Sequence, residues 1–294
     1  MEKRGSLTVW VSEEAIKAWT DPEQSGAQGR PVTYSDMAIE CMAMLQAVYR
    51  LPLRGTRGLV QSIFELMQIT LSVPHYSTLS RRKRKLDVKL PKRKPSDGVH
   101  VVIDSTGVKV FGEGEWKVRQ HGYTKRRTWK KMHIAVDEAT GEILAVGVTD
   151  NSITDGTMLP PLLDDIEEPI TRVSGDKAYD KRKCYEAIRK RKAKASIPPQ
   201  KGARIWQHGN TKGERHNRDE NIRAIRKKGR AAWKRESGYH RRSIAETSMS
   251  RYKRILGPTI SARTFEGQST EIKIRCKILN TMTQMGRPDS VLMG

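Results

Sequence analysis

The chain has 294 residues, and its 56 Lys and Arg against 33 Asp and Glu leave a formal charge of +23. An excess of that size is hard to reconcile with a small neutral substrate as the main partner. It suits a polyanion whose condensed counterions are released on binding, with nucleic acid ahead of a membrane surface. No apolar run approaches the ~20 residues of a spanning helix, and MEKRGSLTVWVSEE lacks the apolar centre of a signal peptide, so a cytosolic protein with no membrane partner is expected. Cys41, Cys184 and Cys276 lie far apart without CxxC spacing, which predicts neither a disulfide framework nor a zinc site.

Residues 1–34 read as a partly ordered arm carrying Trp10 and Trp19, followed by the loop-forming DPEQSGAQGRP. DMAIECMAMLQAVYR is apolar almost all round, as a helix buried in a small bundle would be, with Thr33 and Asp36 spaced like a capping box. The stretch 53–58 breaks it, and Val60, Phe64, Met67 and Leu71 recur at helical spacing beyond. In HYSTLSRRKRKLDV, Leu79 and Leu86 share one side of a basic third helix. Residues 35–88 therefore predict an all-α, helix-turn-helix-like DNA-binding domain. Ser77, Thr78 and Arg81 stand near the start of its last helix, and Arg82, Lys83 and Arg84 surround the rest. A basic helix that touches phosphates without reading bases fits equally well. KLPKRKPSD, residues 89–97, has the prolines and polarity of a linker.

The second domain is expected over 98–285. VHVVIDSTG is a buried strand whose end delivers Asp104, and after the Gly- and Lys-rich 111–127 a hairpin forms from Met132, Ile134 and Val136 and the returning Ile143–Val148. A short helix near 158–163, a strand in TRVSGD that ends at Asp176, the helix AYDKRKCYEAIRKRK and the strand KASIPP follow. That order matches the ribonuclease H-like fold, an α/β mixed five-stranded sheet with flanking helices. In this fold the first and fourth strands are neighbours, which would bring Asp104 to Asp176. The basic insert around 200–238 interleaves Trp206 and Trp233, which either stack on unpaired bases or, the preferred reading, pack on the domain. A closing helix carries Ile272, Ile274, Ile278 and Leu279, and residues 286–294 form a tail.

YHRRSIAETSMSRYK, read as one helix from Tyr239, places Tyr239, Arg242, Glu246 and Lys253 within a sector of about 60° at 100° per residue. A solvated polar stripe is the simpler reading of that helix alone. The acids upstream change it, because three carboxylates converging on a sheet rim repel one another unless cations neutralise them. Oxygen-only ligands suit Mg²⁺, and two such ions about 3.5–4 Å apart can clamp the attacking and leaving oxygens of a phosphodiester. In this arrangement Asp104 bridges both ions, Asp176 holds one and Glu246 the other. No Ser, Cys or His sits in a nucleophile motif. Asp180 reads as a helix-start acid, Asp97, Asp150 and Asp155 as turn or cap residues, and His133 as a packed histidine.

IDSTG, SGDKAYD and the Y-x2-R-x3-E-x6-K set Tyr239, Arg242, Glu246 and Lys253 resemble the three signature regions of the DDE transposases of bacterial insertion sequences, in the insertion sequence 5 family. GEGEWKVRQHG and KRRTWKKMHIAVD are similar to that family as well. The resemblance implies catalytic metal ligands at Asp104, Asp176 and Glu246 and two Mg²⁺ ions, with Mn²⁺ able to substitute. It implies a DNA-phosphate contact from Lys253, an orienting role for Arg242 and strand positioning by Tyr239. The implied partners are double-stranded DNA, as terminal inverted repeats and as target, and a second copy of the chain in the DNA complex, all in the nucleoid-associated bacterial cytoplasm. Two alternatives stay open: a catalytically silent DNA-binding regulator, and a nuclease or RNA-processing enzyme on the same fold.

Overall fold

The computed structural model of the chain describes residues 5–20, 33–90, 98–110, 129–207 and 215–286. In chain order, helices α1 (Leu7–Trp10), α2 (Glu13–Lys17), α3 (Asp36–Val48), α4 (Leu53–Leu66) and α5 (Tyr76–Lys83) precede strands β1 (Val99–Val110), β2 (Trp129–Asp137) and β3 (Ile143–Asp150). Then come α6 (Asp155–Asp164), β4 (Ile170–Ser174), a 3₁₀ turn (Lys177–Tyr179), α7 (Arg182–Lys190) and β5 (Lys194–Ser196). Helices α8 (Asn217–Lys228) and α9 (Arg230–Glu236), a second 3₁₀ turn (Tyr239–Arg242), α10 (Ser243–Leu256), the two-residue strand β6 (Thr259–Ile260) and α11 (Phe265–Gln284) complete the order. The chain divides into two compact units, Met1–Lys89 with Arg254–Gly294, and Leu90–Lys253. Most of the expected linker, all of 111–127, Asp97 and nearly all of the tail lie outside the described residues.

The first unit departs from the sequence reading in four places. Where the arm is described it is two short helices, and Trp19 is fully buried, edge-on to Phe64 at 4.9 Å, with its indole N–H donating to the Ser72 carbonyl at 2.9 Å. An indole of that area, once its N–H has a partner, gains more from burial than from solvent. Ser35, not Thr33, caps α3, its hydroxyl accepting from the Ala38 N–H at 3.1 Å. The expected break at 53–58 is the first turns of α4, which starts directly after Pro52. A proline is compatible with a helix entrance, and the burial of Val60, Ile63 and Phe64 outweighs the two glycines of those turns. Lastly, α11 belongs here rather than with the sheet: Lys277 pairs with Glu40 of α3, and the Thr270 hydroxyl donates to the Arg84 carbonyl at 3.4 Å.

In the second unit the five strands are ordered β3-β2-β1-β4-β5. β1, β4 and β5 run parallel, and β2 and β3 form an antiparallel hairpin on the β1 side. This is the mixed sheet with β1 beside β4 that the element order predicts. Val101 and Ile103 of β1, Ala135, Ala145 and Val173 meet Leu159, Leu162 and Leu163 of α6 and Tyr185 and Ile188 of α7 in one buried cluster. β5 is a sheet edge, and α8 closes it. The Ala195 N–H donates to Asn217 Oδ1 and the Ala195 carbonyl accepts from Asn221 Nδ2, each at 3.1 Å. Side-chain amides thus satisfy backbone groups that would otherwise invite a foreign strand.

Candidate active site

The parallel register carries two acids to the same level of neighbouring strands. Pairing of β1 with β4 ends at Val102 opposite Ser174, and Asp104 and Asp176 each stand two residues beyond. Asp104 is not at the strand end, contrary to expectation: β1 runs on to Val110 beside β2, and only Asp176 lies past the carboxyl end of its strand. The chain leaves β4 through Gly175, where a Cβ would come within 2.9 Å of the Tyr179 ring, so glycine lets the 3₁₀ turn fold back closely. Asp176 caps that turn, its carboxylate accepting from the Ala178 N–H at 2.8 Å. Asp104 is half-buried and accepts from the Ser105 N–H at 2.8 Å.

Burial pushes the Asp104 carboxyl above the usual carboxylate range, and the nearby charges of Asp176 and Glu246 push it further, against the Ser105 N–H bond and the Arg242 guanidinium. Asp176, Glu246 and Arg242 all lie close enough to Asp104 to act on its charge. The arrangement is open, not closed. Glu246 is more than half exposed and ion-paired with Arg242, and among the described residues no three acidic, His or Cys side chains form a ready metal cage. The donor set still fits a hard divalent cation: it is all oxygen, and it includes a partly desolvated carboxyl whose ionisation Asp176 and Glu246 oppose.

Tyr239 and Arg242 lie not on α10 but on the 3₁₀ turn before it, which starts after Gly238 in the left-handed conformation (φ 65°). The single-helix reading fails there, yet Tyr239, Arg242 and Glu246 are still gathered. The Arg242 guanidinium lies 5.6 Å from the Tyr239 ring centre, Trp233 flanks that ring at 5.8 Å, and Arg241 anchors the turn to Glu138. Burial raises the Tyr239 phenol, with Arg242 opposing and Asp176, Glu246 and Asp104 adding to the rise. Lys253, three turns along α10, donates to the Thr106 hydroxyl at 2.6 Å.

A second polar group sits on the other face of β1, which the sequence reading missed. Ser105 donates to Asp155 Oδ1 at 2.8 Å, Lys131 Nζ lies 3.0 Å from the same oxygen, and His133 Nδ1 is 3.9 Å away. Asp155 opens α6, as a helix-start acid, but it also ties that helix to β1 and β2. The signal was legible: successive strand residues face opposite ways, so Ser105 and Thr106 had to serve different faces. His133 is the packed histidine expected, fully buried with Nε2 2.9 Å from the Thr149 hydroxyl, and burial pushes it down to about 4. It is neutral at pH 7.

Asp150 pairs with Lys130 at the hairpin end. Asp180, expected to favour a helix start, is instead a buried partner of Arg218, with Oδ1 2.7 Å from Nε. Trp233 is buried with its N–H donated to Asn221 Oδ1 at 3.1 Å, and Trp206 packs edge-on to Tyr185 at 5.6 Å with Arg218 4.0 Å over its ring. Trp206 thus packs on the domain, as preferred, and Trp233 within the insert. In the basic helix α5, Arg82 is taken up by the Tyr34 carbonyl and Asp36, and Lys83 by Gln46 Oε1 at 2.9 Å. Burial lowers the Lys83 ammonium, with Glu271 opposing. Without DNA, these two cations are engaged by partners within the chain. Arg81 and Arg84 are exposed, Ser77 bonds to His75 Nδ1 at 2.9 Å, and Thr78 is half-buried.

No helix among the described residues is long and apolar enough to cross a membrane. Solved structures similar to this chain include the piggyBac transposase synaptic complex with hairpin DNA, at 11% identity over 94% of this chain and 73% of that one, with a TM-score of 0.41. The Drosophila P element transposase strand transfer complex is similar at 12% identity over 90% and 70%, with a TM-score of 0.33. At such scores the assignment rests on sequence families instead. Two family profiles, each described as a transposase DDE domain, match residues 2–113 and 95–281, the second spanning more than half of the chain and including Asp104, Asp176 and Glu246. By that match the chain belongs to the DDE transposase family.

Proposed function

We propose that this protein cuts the ends of an insertion sequence and joins the exposed 3′ hydroxyls to target DNA, and that it is one of the bacterial transposases of the insertion sequence 5 family. Family membership already implies a DNA-cleaving and DNA-transferring enzyme, and its members normally use divalent metal ions. The observation that carries the proposal is the placement of Asp104 and Asp176 just past paired parallel strands, with Glu246 in electrostatic reach.

Asp104, Asp176 and Glu246 would hold two divalent cations, Mg²⁺ by ligand hardness with Mn²⁺ as a substitute, and these would supply Lewis-acid stabilisation of the charge that builds on phosphate oxygens. The chain's own cations do the rest. Arg242 holds Glu246 in place until DNA arrives, Lys253 meets a phosphate beside the scissile bond, and the Tyr239 ring supports the strand. Helices α3–α5 would act as the helix-turn-helix-like module, touching DNA through exposed Arg81 and Arg84 with Ser77 and Thr78 at the helix start. Two copies would pair the two ends of the element on the DNA of the bacterial nucleoid.

The test is to incubate the protein with duplexes carrying defined inverted repeats in Mg²⁺ or Mn²⁺. The expected products are nicks at the repeat boundary and molecules joined to target DNA. End binding without nicking would favour the silent regulator, and cutting that ignores the repeats and joins nothing would favour the nuclease. The charge adds a quantitative expectation: if roughly eight phosphates are neutralised, log K falls with log salt at a slope near −7, by the rule of about 0.9 per phosphate. Titration of a labelled end duplex at several salt concentrations measures it, and a flat response removes the polyanion argument.

A further inference from the structure

We propose that Thr106 is a positioning residue for the reaction, its hydroxyl holding the Lys253 ammonium on the Asp104 face of β1 before DNA binds. The inference rests on the reading of Lys253 as a phosphate contact. Strand alternation puts Thr106 on the same face as Asp104, two residues along, or about 7 Å at the rise of a β-strand. The ammonium of Lys253 reaches it from α10 at 2.6 Å, and both residues are half-buried.

The chemistry of the partner matters. A carboxylate at this position would neutralise the cation, and among the described residues Lys253 forms no ion pair, whereas a hydroxyl accepts one N–H and leaves the full charge. An ammonium has three donors, so two remain for phosphate oxygens. A four-carbon stem loses much rotamer freedom when its head is fixed, and a lysine fixed beforehand does not lose it again when DNA arrives. Thr106 thereby links the two ends of the site, since β1 carries Asp104 and α10 carries Glu246 and Lys253.

A double-mutant cycle on the full-length protein tests this, with Thr106→Val, Thr106→Ser, Lys253→Ala and the Val/Ala double variant. End-duplex affinity is measured in EDTA and cleavage in Mg²⁺. Thr106→Val keeps a β-branched side chain in the strand and removes the acceptor. It is expected to lower cleavage about tenfold or more, the loss of one hydrogen bond to a charged group, with Thr106→Ser restoring most of it. In the Lys253→Ala background Thr106→Val should cost nothing further, because its effect passes through the lysine. If Thr106→Val disturbs folding by circular dichroism, Thr106→Ala takes its place in the cycle. Lys253→Ala with unchanged affinity and cleavage would overturn the phosphate reading. An impaired Lys253→Ala with a normal Thr106→Val, or a Thr106→Val loss that persists without the lysine, would overturn the role of Thr106 alone.

Discussion

Alanine in place of Asp104, Asp176 or Glu246, one at a time, is expected to reduce strand cleavage by about three orders of magnitude or more while leaving end binding largely intact. Removing a cation ligand forfeits several kcal/mol of charge stabilisation in the transition state, and each 1.36 kcal/mol is a factor of about ten. Asp155, another acid near β1, is bound to Ser105 on the opposite face of the strand and so does not stand in for them. Asp104→Asn separates chemistry from folding. Because the folded carboxyl sits above its ordinary range, the native state holds that proton more tightly than the unfolded chain does. The associated stability is present in acid and is lost as pH rises through the elevated value, so at pH 7 the ionised group opposes folding. Asp104→Asn should therefore melt no lower than the parent protein in EDTA, and should lose most of the stabilisation that Mg²⁺ or Mn²⁺ gives the parent. Nicking assays and thermal melts with and without cation read the two effects. Cleavage retained in any cleanly folded single variant would count decisively against the two-cation site.

The parts of this site that could be read in the sequence are those that local periodicity fixes. Four apolar residues ahead of Asp104 mark a buried strand, hairpin alternation marks β2 and β3, and their order with the later elements forces β1 beside β4, whatever the loops do. What escaped was set by contacts between distant segments. RRKRK offers five similar cations, and only the packing of Tyr34, Asp36 and Gln46 decides that Arg82 and Lys83 turn inward while Arg81 and Arg84 stay exposed. The wheel drawn from Tyr239 assumed 3.6 residues per turn, and the left-handed Gly238 with the tighter turn after it breaks that assumption for its first two members. α11 carries an apolar pattern equally suited to either unit, and a single pair such as Lys277 with Glu40 shows which it joined.

The largest expected loss of stability lies away from the acids, at Asp180 and Arg218. Arg218 donates through Nε to Asp180 Oδ1 at 2.7 Å and through Nη1 to the Arg204 carbonyl at 2.7 Å, while Asp180 Oδ2 accepts from the Gln200 N–H at 2.8 Å. Both side chains are under 10% exposed, and the next residue, Asp219, is buried and accepts from the Trp206 and Gln207 N–H groups at 2.9 and 2.8 Å. These bonds fasten the start of the basic insert to the sheet unit. Asp180→Ala would strand a buried guanidinium, and breaking one side of such a pair costs about 3–5 kcal/mol, a large share of the ~5–15 kcal/mol that holds a typical domain. Because the chain has two units, a single melting transition is a poor gauge, and backbone amide exchange in α8 is the better one. Protection there should fall by about two to three orders of magnitude, at about 1.4 kcal/mol per factor of ten. Substituting both partners with apolar residues of similar volume should recover part of it, since the penalty comes from an unpaired buried charge more than from a lost attraction. Unchanged exchange in Asp180→Ala would mean that the insert is held by its tryptophans alone, and the buried pair would then be a passenger of that packing.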